Sequence, residues 1–162
     1  MFRRFPGRAM MGYHDGFGME SHVEEIKQIE RPIDRERTCP LLLRLFYQIG
    51  RHHAPHEYTQ GKTPLNELQI YTWLDASLKE LTSLITDVNP DARRRGTHFD
   101  FKLVCPGPNG YRLVDVGNTC TGMRNPDDSR TLAQINFVIG DYMDICITPP
   151  NRVIRGGRQR QY

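Results

Sequence analysis

At 162 residues, with 38% hydrophobic and 25% charged side chains, the chain suits one ordinary globular domain with tails better than two domains. Its apolar runs fall short of the ~20 residues a membrane helix needs, and Arg3, Arg4 and Arg8 precede no apolar signal core. The net charge of +3 is uneven: residues 1–19 sum to +2, residues 149–162 to +4 and residues 20–148 to −3, so the body lacks the basic excess expected of a phosphate-binding domain.

Residues 1–19 mix Gly, Arg, Met and aromatics without a sustained period, as a disordered stretch does. ESHVEEIKQIER (20–31) suits a short charged helix anchored only by Val23, Ile26 and Ile29, and Pro32 stops it. Residues 1–31 are therefore expected to be a flexible N-terminal segment. The first firm strand is Leu41 to Tyr47. With Arg44 facing solvent, Leu41, Leu43 and Leu45 share the buried face. The polar stretch GRHHAPHEYTQGKTP, broken by Gly and Pro, predicts a long loop.

Glu67 to Trp73 forms a second strand, with Leu68, Ile70 and Thr72 on one face and Gln69, Tyr71 and Trp73 on the other. Ser77 and Glu80 have capping-box spacing, and Leu78, Leu81, Ile85 and Val88 follow along one helical stripe until Asn89-Pro90 ends it. DARRR fits one further turn. Thr97 to Val104 alternates, with Phe99, Phe101 and Leu103 inward. Tyr111 to Val116 is a shorter strand, and TLAQINF suits a single helical turn. Asp141 to Thr148 places Met143, Ile145 and Ile147 inward. This order predicts an α+β, ubiquitin-like β-grasp: a mixed five-stranded sheet packed on one main helix. The domain spans residues 32–150, and a basic Arg/Gly tail spans 151–162.

Several motifs suggest chemistry and fall short of it. Gly61-Lys62-Thr63 lacks the rest of a phosphate loop and precedes a strand. His52, His53 and His56 come without a second ligand pair, so they are expected to be solvated, or hydrogen-bonded to shape the loop, rather than to hold a metal. Cys39, Cys105, Cys120 and Cys146 form no CxxC pair and suit reduced thiols in a cytosolic or nuclear protein. Asp127-Asp128 reads as turn and capping chemistry. No catalytic constellation or cofactor loop stands out. Gly156-Gly157 leaves open a ubiquitin-like modifier processed at Gly157, and the arginine tails leave open a direct RNA binder.

RPIDRERTCPLLLRLF, GRHH, NELQIYTWLDASLKELTSLI, NPDARRRGTHFDF and TLAQINFVIGDYMDICITPPNR together resemble the Sin-three-associated polypeptide family over roughly residues 32–152. The resemblance implies a ubiquitin-like nuclear adaptor without catalysis or cofactor. It implies as partners the Sin-three corepressor with its histone deacetylase, and the apoptosis- and splicing-associated complex with Acinus and the RNA-binding protein with a serine-rich domain, which can attach to exon-junction complexes. The residues themselves suggest where partners would sit. Arg44 and Asp144 are costly to bury unpaired, so their strands should turn those side chains outward. That also turns Leu42, Phe46, Tyr71, Trp73 and Tyr142 outward, a mixed aromatic and charged patch of interface type. The alternative is that the long loop or the N-terminal segment covers this face from within.

Overall fold

Alternating side chains in five strands and one 3.6-residue stripe set the architecture. The computed structural model describes residues 32–150. The expected flexible segment over 1–31, its helix over 20–31 and the tail over 151–162 with its diglycine lie outside the described residues. The elements are β1 (Leu41–Ile49), β2 (Glu67–Thr72), α1 (Leu78–Val88), β3 (His98–Gly107), β4 (Gly110–Cys120) and β5 (Tyr142–Thr148). The sheet order is β2-β1-β5-β3-β4. β1 and β5 run parallel at its centre, and the other pairs are antiparallel. This is the α+β β-grasp arrangement, with α1 as the main helix.

The core lies between α1 and the inner sheet face. Leu78, Leu81 and Ile85 are fully buried against Leu43, Leu45, Phe99, Phe101, Met143 and Ile145. Burying each of those three helical side chains stabilises the fold by about 1.5–3 kcal/mol. Val88, expected on the same stripe, is 54% exposed, because it is the last residue of α1. Beyond it Asn89 caps the 3-10 turn Pro90–Arg93, the turn expected at DARRR. The capping box at Ser77 is half formed. Ser77 Oγ accepts from the Glu80 N–H at 3.2 Å, but the Glu80 carboxylate turns to the Arg35 guanidinium at 2.9 and 3.0 Å.

One departure from the sequence reading and one expected turn have local causes. β4 does not stop at Val116 but runs on to Cys120, through a bulge opposite Phe101 and Lys102. Gly117 makes the bulge possible, with φ +146 and neighbours that would crowd any side chain. The Thr131–Phe137 turn is capped at both ends. Thr131 and Gln134 exchange side-chain bonds with each other's N–H groups. At the other end Asn136 takes a positive φ, and the Phe137 N–H reaches the Leu132 carbonyl. Leu132 and Phe137 are thereby set into the core.

The two sheet edges differ. On β4 the chain blocks its own edge: Arg130 donates to the Val116 carbonyl at 2.5 Å, and Asp127 accepts the Asn118 N–H at 3.1 Å. On β2 no described segment pairs with the edge.

Candidate functional site

Register places six of the seven expected site residues on the outer face, away from α1. Leu42 stands opposite Tyr71, Arg44 opposite Gln69 and Tyr142, and Phe46 opposite Glu67 and Asp144. The phase read from Arg44 therefore holds, but outward does not mean exposed throughout. Phe46 and Asp144 are 0% exposed, which corrects the expectation that both meet solvent. The reason is the loop between β1 and β2, which lies over this half of the face.

Asp144 is where that loop is fastened. Its two carboxylate oxygens accept from His52 Nδ1 and His53 Nδ1, each at 2.6 Å, and from the Tyr58 hydroxyl. The His53 backbone N–H adds a longer contact at 3.3 Å. A carboxylate can only accept, so both imidazoles carry their proton on Nδ1. Burial alone would push the Asp144 carboxyl up. The hydrogen bonds from His52, Tyr58 and His53 outweigh it and hold the group below the usual carboxylate range. Burial, and then the carboxylate itself, push the Tyr58 hydroxyl well up, so it stays a donor. His52 Nε2, the nitrogen that an Asp-oriented histidine would offer to a substrate, is buried and has no partner among the described residues. This Asp–His arrangement clamps the loop to the sheet. His52 and His53 are the hydrogen-bonded pair that shapes the loop, while His56 is exposed.

Around the clamp, Phe46, Tyr58 and Val104 form a second small core, joined by Tyr111, Leu113 and Tyr142. Phe46 meets Tyr58 and Tyr142 edge-on, each with ring centres 5.4 Å apart. Arg44 lies over Phe46 and Tyr142 at 5.3 and 5.0 Å and is ion-paired to Glu67, so its charge is half-buried but compensated. Trp73 departs from expectation as well. It lies just past β2, half-buried, donating to the Thr38 carbonyl at 2.7 Å with Arg35 over its ring at 5.1 Å.

Among the described residues, one corner of this face stays open. Leu42 is 39% and Tyr71 71% exposed, side by side across β1 and β2. Tyr71 also stands on the free edge. The Tyr47 N–H bonds the Asn66 carbonyl, so by alternation Leu68, Ile70 and Thr72 direct their backbone groups toward β1. Glu67, Gln69 and Tyr71 direct theirs outward. Leu68 and Ile70 are only partly covered by the core. The Glu67 N–H bonds the Leu65 carbonyl, but an extended peptide laid along β2 would find the outward backbone groups of Gln69 and Tyr71 without a partner among the described residues, apolar side chains below and an aromatic side chain above.

The sequence reading missed Tyr58, Tyr111 and Leu113 on this face. Only Tyr58 had a signal, as the single aromatic residue in a long polar loop.

Comparison with known proteins follows the same lines. The family described as Sin3 associated polypeptide p18 (SAP18) matches residues 32–147. The chain is similar to the histone deacetylase complex subunit SAP18 of Drosophila melanogaster, 54% identical over 147 residues that cover 89% of this chain and 98% of that protein. It is likewise similar to the histone deacetylase complex subunit SAP18 of Homo sapiens, 54% identical over 151 residues, covering 89% and 99%. With this match across the folded domain, the chain belongs to the Sin3 associated polypeptide p18 (SAP18) family.

Proposed function

We propose that this chain is a nuclear, non-enzymatic adaptor that joins the Sin-three histone deacetylase corepressor in transcriptional repression. In this reading it also joins the apoptosis- and splicing-associated complex in mRNA processing, with Acinus and the RNA-binding protein with a serine-rich domain as partners. Residues 32–150 are the adaptor domain, and residues 1–31 and the basic 151–162 flank it. Family membership supports the first assignment, because relatives carry the name histone deacetylase complex subunit. The observation that carries the adaptor reading is the open corner: among the described residues, Leu42 and Tyr71 are exposed beside a β2 edge on which no strand pairs, on a sheet whose other edge is closed. Of the site residues expected from sequence, Leu42 and Tyr71 then make direct contact. Arg44 and Tyr142 border the contact, Phe46 and Asp144 hold the loop beneath it, and Trp73 fixes the end of β2.

Calorimetric titration of an Acinus-derived fragment tests this. Tyr71→Ala should weaken binding at least tenfold, as loss of a buried aromatic anchor commonly does. Gln69→Pro removes an outward N–H without touching the β1 ladder, and should weaken strand addition comparably. Lys79→Ala, on the exposed helix surface, should bind like wild type. Wild-type affinity in both β2 variants would refute the placement.

A further inference from the structure

The β1–β2 loop encloses a cavity of about 420 Å³ at the start of β2, with Leu65 and Asn66 in its wall. Its volume falls in the range of ligand sites, and Leu65 beside it is 99% exposed. Gln48, the next outward-facing residue of β1 after Phe46, lines it together with His53 and Glu57 of the loop. His53 is the telling member. Its side chain is only 6% exposed, yet it lines the cavity. Nδ1 is engaged by Asp144 at 2.6 Å, which leaves Nε2 with a lone pair. No described residue hydrogen-bonds that nitrogen, and unlike His52 Nε2 it is not sealed within the protein. Gln48 Oε1 is a second acceptor with no partner among the described residues, a deficit that buried polar groups rarely keep. Glu57 Oε2 accepts the Ala54 N–H at 2.7 Å, and its other oxygen has no partner among the described residues. The lining is therefore rich in acceptors and short of donors. Its cation, Lys62, is exposed and forms no salt bridge among the described residues. Two carboxylates, Glu57 and the Asp144 behind His53, oppose that single ammonium.

We propose that this cavity receives an arginine side chain from the partner strand laid along β2. A guanidinium carries donors only, so it complements His53 Nε2 and the Glu57 carboxylate, and the charge balance favours a cation over an anion. The proposal deepens the edge reading and rests on it for how the side chain is delivered. An extended strand rises about 3.3 Å per residue and turns alternate side chains to one face. Counting from Tyr71 back to Leu65, the arginine stands about six residues from the partner residue opposite Tyr71, on the same face.

The test follows the His53 imidazole nitrogens by NMR in the full chain as N-acetyl-arginine N-methylamide is added, with its citrulline and glutamate counterparts. The arginine probe should shift His53 Nε2 saturably. Citrulline keeps the length and loses the charge, and should bind at least about tenfold more weakly. Glu57→Gln keeps an oxygen for the Ala54 N–H and should weaken the arginine probe by about two- to fivefold. Gln69→Pro alters the edge alone and should leave the free probe unaffected, while the fragment titrated above should displace the probe from the wild-type chain. The proposal is overturned if the arginine probe leaves His53 unmoved at its solubility limit, or if citrulline or the glutamate counterpart binds as tightly. A fragment that binds without displacing the probe also overturns it, and leaves the edge reading standing. A bound probe with no fragment binding refutes the edge reading and delivery by a strand, while the cavity keeps its preference for arginine.

Discussion

Tyr58→Phe deletes one hydroxyl and little else, so it reads the strength of the clamp holding the β1–β2 loop to the sheet. That hydroxyl is buried and donates to a carboxylate that is 0% exposed. A hydrogen bond to a charged group contributes about 1.5–3 kcal/mol, against a total stability on the order of 5–15 kcal/mol. For a domain of this size the melting temperature should fall by roughly 5–15 °C. Asp144→Asn is harsher. One carbonyl oxygen replaces two acceptors facing three side-chain donors, and the amide NH2 is brought against one of them. Breaking a buried charged network this way should cost about 3–5 kcal/mol. The pH dependence has a definite sign. Asp144 is held below its unfolded value near 3.9, so its contribution is complete above that pH and lost as pH falls through the folded value. The Asp144 contribution to the stability gap between wild type and Asp144→Asn should therefore be lost below about pH 4. Urea unfolding followed by Trp73 fluorescence, with hydrogen exchange over residues 50–66, measures both effects. The clamp argument fails if Asp144→Asn stays within about 1 kcal/mol of wild type at pH 7, or if the gap widens in acid.

Two further changes test how local geometry supports the core. Ser77→Ala should cost about 0.5–2 kcal/mol in thermal unfolding; Glu80→Gln should cost less, because Glu80 spends its carboxylate on Arg35 rather than on the cap. Gly117→Ala puts a Cβ 3.0 Å from Asp127 Oδ2 and Leu78 Cδ1 at a positive φ. It should destabilise by at least about 1–3 kcal/mol, and β4 amides near the bulge should exchange faster; wild-type melting would show that the bulge tolerates a side chain.

The elements whose residues alternate or recur locally were legible, and so was their order. Phe99-Asp100-Phe101-Lys102-Leu103 announces both its strand and its inward face, and the register confirms that Arg44 points away from α1. The run of β4 past Val116 was not legible, because a lone glycine such as Gly117 signals a bulge and a break equally well. The covered half of the outer face was illegible for a different reason. The rule that Asp144 cannot be buried alone is sound, but its partners His52 and His53 lie 92 and 91 residues away in a stretch whose composition suits solvent. Burial of a charge by a distant polar loop leaves no periodicity in either segment. Parity therefore fixes which way a strand residue points, while exposure depends on what the rest of the chain lays over it. Applied here, that distinction moves the expected contact from Phe46 and Asp144 to Leu42, Tyr71 and the β2 edge. Under the proposed function the loop would support binding: by compensating Asp144 it keeps the aromatic floor under Arg44 and Tyr142 in place. A clamp variant should thus loosen the border of the partner site while leaving the β2 backbone groups available.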